Sequence, residues 1–173
     1  MTPATFLDAL VLKCASHGLL VDTNVLLMYL VGSYDPGYIG LFKRTQQYST
    51  EDFQIVRGLA HKFRRLVTTP HILSELTNLS RGVHEPHLSE YFRCLVGILK
   101  RAREVHVHKD VLLSHAMLSR FGFTDLSILE AAKRSRYLVL TDDFAAAGML
   151  RAERCDVINL NHLRQLYWSR HRT

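Results

Sequence analysis

Only three cysteines, four prolines and one tryptophan occur in 173 residues. Cys14, Cys94 and Cys155 are odd in number, widely spaced and never form a C-x-x-C, so neither a disulfide framework nor a thiolate zinc site is indicated. Glycine is also sparse, at 9, and the chain is 47% hydrophobic against 22% charged, so collagen-like, low-complexity and disordered classes fall away. No apolar run approaches the roughly 20 residues that span a bilayer. The opening segment from Thr2 to Leu12 holds an acid, Asp8, and no leading basic cluster, which argues against a secretory signal and makes a cytoplasmic protein the expectation. What is present is enough apolar residue for one sizeable core, and a surplus of 22 Lys and Arg over 16 Asp and Glu, a net charge of +6. That surplus shifts the odds modestly toward a polyanionic partner.

Short β-type runs alternate with longer helical patterns. Leu19-Leu20-Val21, Leu66-Val67-Thr68-Thr69, Val105-His106-Val107, Tyr137-Leu138-Val139-Leu140-Thr141 and Asp156-Val157-Ile158-Asn159-Leu160 read as buried parallel strands. Helix starts are marked by Thr69 before Pro70, by Ser49 with Asp52 three residues on, by Asp110 before Val111, and by Pro86, which opens an amphipathic segment running to Leu99. Between Asp22 and Leu66 there is only helical pattern, interrupted at Gly32-Ser33-Tyr34-Asp35-Pro36-Gly37, which suggests a helical insertion over the sheet edge. Residues 4–15 predict a helix before the first strand. The expected fold is α/β: a single parallel sheet of four to five strands with helices on both faces, in one domain over 1–173, with an extra helix within 1–18 and a tail at 165–173.

Ligands of open α/β sheets bind at the carboxyl ends of the strands, and acids stand at two of those ends. Asp22 follows the first strand; Asp142 and Asp143 follow Thr141. Taken singly, each reads first as a helix N-cap. Glu75 lies on the stripe of Ile72, Leu76 and Leu79, and Asp125 on the side shared by Ile128, Leu129 and Ala132, so helical period aims both toward the core. A buried carboxylate needs a partner or takes up a proton. Carboxylates about 4 Å apart repel by roughly 4 kcal/mol per pair at an effective dielectric near 20. One shared cation accounts for these acids more economically than several private salt bridges, and an oxygen-only donor set points to Mg²⁺ or Mn²⁺.

The succession Leu20-Val21-Asp22-Thr23-Asn24, Ser74-Glu75-Leu76, Gly122-Phe123-Thr124-Asp125-Leu126-Ser127-Ile128-Leu129 and Leu140-Thr141-Asp142-Asp143-Phe144 resembles the PIN-domain nucleases, with the VapC-like toxins of toxin–antitoxin pairs closest in size. The resemblance covers the chain from about Leu19 to about Leu160. It implies a PIN-like fold, Mg²⁺- or Mn²⁺-dependent RNA cleavage, and an antitoxin protein and a homodimer as partners. It makes Asp22, Glu75, Asp125 and Asp143 the catalytic acids, these four with Asp142 the metal-binding set, and Asn24 and Thr141 polar supports. Many toxin-type members have T-x-D-x-D-F where this chain has T-D-D-F, so Asp142 and Asp143 are both candidate ligands, Asp143 the nearer in spacing.

RNA contacts are expected from the basic residues, with Arg64, Arg65, Lys133 and Arg134 the principal candidates beside Lys43-Arg44, Lys62, Lys100-Arg101 with Arg103, Arg136, and Arg151 with Arg154. The tail Tyr167-Trp168-Ser169-Arg170-His171-Arg172 joins aromatic and basic groups that suit RNA. His84 and His87 flank Pro86, which breaks the helix a zinc pair would use, and His106 and His108 alternate with Val105 and Val107 as the polar face of an edge strand. A response-regulator receiver needs an acidic pair after the first strand and a Lys after the fifth, and a haloacid-dehalogenase-type phosphatase needs D-x-D where Asn24 stands. Neither pattern is met. The alternative that survives is a PIN-like scaffold that binds RNA or a protein without cutting.

Overall fold

Leu19, Leu20, Leu138, Val139 and Leu140 are wholly buried, and they form the two central strands of the sheet. The computed structural model describes residues 3–171, with side chains described from Thr5 to Tyr167, so the expected RNA contacts of Trp168 through Arg172 lie outside the described side chains. Strands β1 (Leu19–Val21), β2 (Leu66–Thr68), β3 (Arg103–Glu104), β4 (Leu138–Thr141) and β5 (Val157–Asn159) are all parallel and ordered β3-β2-β1-β4-β5. The helices are α1 (Pro3–Cys14), α2 (Thr23–Tyr34), α3 (Thr50–Ala60), α4 (Pro70–Ser80), α5 (Leu88–Leu99), α6 (Lys109–Leu113), α7 (Leu118–Ser135), α8 (Phe144–Ala152) and α9 (Leu160–His171). Among the described residues no helix is long and apolar enough to cross a membrane.

The expected α/β class, the parallel sheet and the helix ahead of β1 are all present. Helix α2 is apolar nearly all round, with Val25, Leu26, Leu27, Met28, Leu30 and Val31 buried, as a helix enclosed on several sides must be. Ser49 and Asp52 form a full capping box at the start of α3, and Thr69 caps α4 ahead of Pro70.

The edge strand differs from expectation. It occupies Arg103–Glu104 rather than Val105–Val107; the Val105 N–H still donates to the Thr68 carbonyl at 2.9 Å, and the ladder then ends. Val107 is 7% exposed without belonging to a strand, so the alternation of Val105 and Val107 records loop packing. His106 and His108 therefore follow the strand, and His108, not Asp110, is the N-cap of α6, accepting from the Asp110 N–H at 3.4 Å. Two charged residues make a short, blunt edge that resists pairing with another chain. Helix α5 begins at Leu88, with Pro86 in the turn before it.

Strand β1 is the frame on which the rest is hung, and Gly18 fixes where it enters. Its φ is +137°, and a Cβ there would stand 2.6 Å from Val67 Cγ2 and 3.2 Å from the Arg65 carbonyl oxygen. Gly18→Ala is expected to destabilise the fold by about 2–4 kcal/mol through backbone strain and overpacking together, seen as a lower urea midpoint at unchanged slope.

Candidate functional site

Asp22 is the first residue beyond β1, and its N–H extends the sheet by donating to the Leu140 carbonyl at 2.9 Å. It occupies the N-cap position of α2 yet makes no side-chain capping bond. Its carboxylate instead accepts from Thr141 Oγ1 at 2.6 Å across the β1–β4 junction, and the residue is 8% exposed. The capping reading therefore fails for Asp22. It holds for Asp143, whose Oδ1 accepts from the backbone N–H groups of Ala145 and Ala146 at the start of α8.

Asp125 sits on α7 just past Gly122, where φ of +72° breaks the helical path and re-aims the following turn. It is half-buried, and its carboxylate has no hydrogen-bond or ion-pair partner among the described residues. Glu75 is exposed on α4 rather than turned to the core, because its stripe neighbours Ile72 and Leu76 take the buried positions and it falls at their margin. Its Oε2 accepts from Thr23 Oγ1 at 3.0 Å. Asp22, Asn24, Glu75, Phe123, Asp125 and Asp143 line one cleft of about 380 Å³. Asp142 is outside those walls. Its Oδ2 accepts from Tyr48 Oη at 2.5 Å and its carbonyl from Asn161 Nδ2 at 3.1 Å.

Burial pushes the Asp22 carboxyl up to about 7, the Thr141 bond opposing and the nearby charges of Asp142 and Asp125 adding to the rise. Burial likewise pushes Asp125 up to about 6, with Asp143 and Glu75 contributing. Among the described residues no Lys, Arg or His forms an ion pair with Asp22, Glu75, Asp125, Asp142 or Asp143. The donor set is therefore all oxygen, acidic and without a protein counter-cation, which suits a hard divalent ion. As placed, no three His, Cys, Asp or Glu side chains among the described residues close around a single ion position.

The principal basic candidates are not at this cleft. Arg64 and Arg65 lead into β2, and Lys133 and Arg134 lie in the last turn of α7, all at the amino-terminal end of the sheet. Lys133 Nζ is bound to Glu153 Oε2 at 2.6 Å and Arg134 Nη1 donates to the His106 carbonyl at 3.4 Å. His87 Nδ1 is paired with Tyr34 Oη at 2.8 Å. Two residues that the sequence reading did not single out matter here. Thr23 orients Glu75, and its place beside Asp22 marked it only as part of a motif. Tyr48 holds Asp142 from 94 positions away, with no local pattern to announce it.

A carboxyl whose pKa rises on folding favours the folded state while protonated. The unfolded chain releases the Asp22 proton near 3.8 and the folded chain near 7, so the associated stability is full below about 4 and is lost as pH climbs through 7. Asp22→Asn keeps an acceptor for Thr141 and removes the charge. Without divalent ions the variant is expected to be more stable than wild type by about 1–3 kcal/mol near pH 8, with the gap shrinking toward pH 4.5, measured by urea denaturation across pH. Comparisons of the chain with protein-family models, with curated proteins and with solved structures find no match, so the functional reading rests on the chemistry of this cleft.

Proposed function

We propose that the protein is a divalent-metal-dependent ribonuclease with a PIN-like fold, hydrolysing RNA phosphodiester bonds at the acidic cleft. The observation that carries this reading is the pair Asp22 and Asp125: two withdrawn carboxylates, both with raised pKa, neither matched by a protein cation. Structural acids are ordinarily neutralised by Arg or Lys, and these are left for something else. Asp22, Glu75, Asp125 and Asp143 would hold Mg²⁺ or Mn²⁺. Such an ion, when bound, lowers the pKa of water and offsets charge on the phosphate oxygens.

The chain's own residues supply the rest. Thr141 fixes the Asp22 carboxylate by its 2.6 Å bond, and Thr23 fixes Glu75. Asn24 is exposed on the cleft wall, where its amide can donate to a phosphate oxygen. Asp125, half-buried with a carboxyl pushed up to about 6 by burial and by Asp143 and Glu75, is the acid whose charge a bound ion would most directly relieve. Asp142, engaged by Tyr48, acts as a charge beside Asp22. The narrower form of the proposal is a toxin of a toxin–antitoxin pair, acting as a homodimer and restrained by an antitoxin protein.

A second reading, a PIN-like scaffold that binds RNA or a protein without cutting, draws on the spacing of the acids, which as placed do not close around an ion. Incubation with single-stranded and structured RNA in Mn²⁺ or in EDTA separates the two. Cleavage is expected in Mn²⁺ alone, and Asp22→Asn or Asp125→Asn is expected to lower its rate by at least about a hundredfold. Cleavage that persists in EDTA, or in both variants, overturns the assignment; RNA bound but never cut in Mn²⁺ favours the scaffold.

A further inference from the structure

A parallel sheet gathers every strand start at one end, and in this chain the starts of β2 to β5 have arginine beside them, while the two acids before β5, Glu153 and Asp156, are paired with Lys133 and Lys13. Arg64 and Arg65 lead into β2, Arg101 stands two residues before β3 and Arg103 opens it, Arg136 precedes β4, and Arg154 precedes β5. Arg136 and Arg154 have φ of 52° and 61° and are the only non-glycine residues of positive φ among the described residues. Such positions at helix ends are ordinarily given to Gly or Asn. Here they place guanidinium groups where the carboxyl ends of α7 and α8 favour positive charge.

Part of this end is concave. The α3–β2 connection and the last turns of α5 border an open groove of about 430 Å³, with His61, Arg64, Arg65 and Arg101 on its walls and Tyr29 and Ile98 among its apolar lining. No carboxylate lines it. None of the three arginine side chains, nor His61, has a hydrogen-bond or ion-pair partner among the described residues; Arg64, Arg101 and His61 are exposed and Arg65 is half-buried, so all three guanidinium groups are free to meet an anion. The backbone beneath them is nonetheless fixed: the Arg64 N–H donates to the Ala15 carbonyl at 3.0 Å, and the Arg65 carbonyl accepts from the Leu19 N–H at 3.1 Å.

We propose that this groove is a nucleoside-phosphate site, separate from the acidic cleft, with phosphate held by Arg64, Arg65 and Arg101 and the nucleoside laid over Tyr29 and Ile98. The volume lies within the range of about 300–1,000 Å³ typical of small-ligand pockets. Guanidinium forks match phosphate bidentately, and an aromatic ring beside them suits a base. An acidic protein segment would satisfy the arginines but leave the apolar lining unfilled. Gly18 and Asp22 bracket β1, so about 13 Å of strand separates the two ends, and a nucleotide here is not the one being cut. The site stands whether or not the cleft is a nuclease.

The test is binding in EDTA, independent of cleavage. A fluorescein-labelled single-stranded RNA 12-mer is titrated by anisotropy at several salt concentrations, and AMP and adenosine by calorimetry, against wild type, Arg64→Ala/Arg101→Ala and Arg64→Lys/Arg101→Lys. The alanine pair is expected to weaken binding at least about tenfold and to lower the log–log salt slope by about 0.7, the share of one single-strand phosphate contact. The lysine pair, which keeps the charge and the fold, recovers the slope but not the full affinity. AMP bound without adenosine identifies a free nucleotide as sufficient; binding of the 12-mer alone identifies an RNA chain. Unchanged affinity and slope in the alanine pair, adenosine bound as well as AMP, no binding of either ligand, or competition by polyglutamate as strong as by RNA would each overturn the proposal.

Discussion

A carboxylate held at the end of a central, fully buried strand by a hydroxyl instead of a cation is the constraint from which the rest of this molecule follows. Asp22 cannot leave, because its backbone is part of the β1–β4 ladder. Nor is it neutralised, because its partner Thr141 donates a hydrogen bond but carries no charge. Asp125 and Asp142 add their charges to its surroundings. A fold optimised for stability alone would place an arginine here or remove the acids, since an unpaired buried charge is among the costlier features a core can carry. Local conflict of this kind, inside an otherwise consistent fold, is what the proposed metal site would relieve.

The long stretch between α2 and β2 takes on meaning in that light. Ser49 and Asp52 close the start of α3, and the same Asp52 receives a two-pronged contact from Arg164, at 2.6 Å and 2.8 Å, that ties α3 to α9. Arg164 also donates to Asn161, and Asn161 donates to the Asp142 carbonyl. Tyr48, one residue ahead of the capping box, closes the circuit on the Asp142 side chain. With Arg164 and Asp52 largely shielded, at 22% and 7% side-chain exposure, such a bidentate pair is geometrically demanding and is strongest as an orienting device. The insertion and the last helix therefore act jointly on one acid. They draw Asp142 away from the cleft and leave Asp143, pinned by the α8 backbone, on its wall.

What could be read from sequence follows the range of the interactions involved. Continuous apolar runs such as Leu138-Val139-Leu140 announce buried parallel strands, and Thr69-Pro70 announces a helix start, because these signals are local. The β3 strand is two residues long and held by a single neighbour, so Val105 and Val107 outweighed it in pattern while contributing packing rather than pairing. Period placed Asp125 correctly at half-burial. It failed for Glu75, which sits at the margin of its stripe, where one residue's rotation separates core from solvent. Tyr48 and Arg164 act over 94 and 112 positions and leave no trace in local pattern. The end of the sheet on which a charge falls, however, needs only chain direction. A residue before a parallel strand and a residue after one are on opposite ends, and that rule alone separates Arg65 from Asp22.

That separation gives the molecule an electrical axis. The carboxyl ends of β1 and β4 carry Asp22, Asp142 and Asp143 without a paired cation, while the amino ends of β2 to β5 carry arginine and the acids there, Glu153 and Asp156, are paired with Lys133 and Lys13. A polyanion drawn in by the net charge of +6 meets its favourable field first at the arginine end. The acid end repels phosphate until its charge is offset, which withdrawn carboxylates do only by taking up protons or a cation. On the proposed function, capture and chemistry would answer to different variables, salt for the first and divalent ions and pH for the second, because the arginines and the acids lie at opposite ends of the same strands.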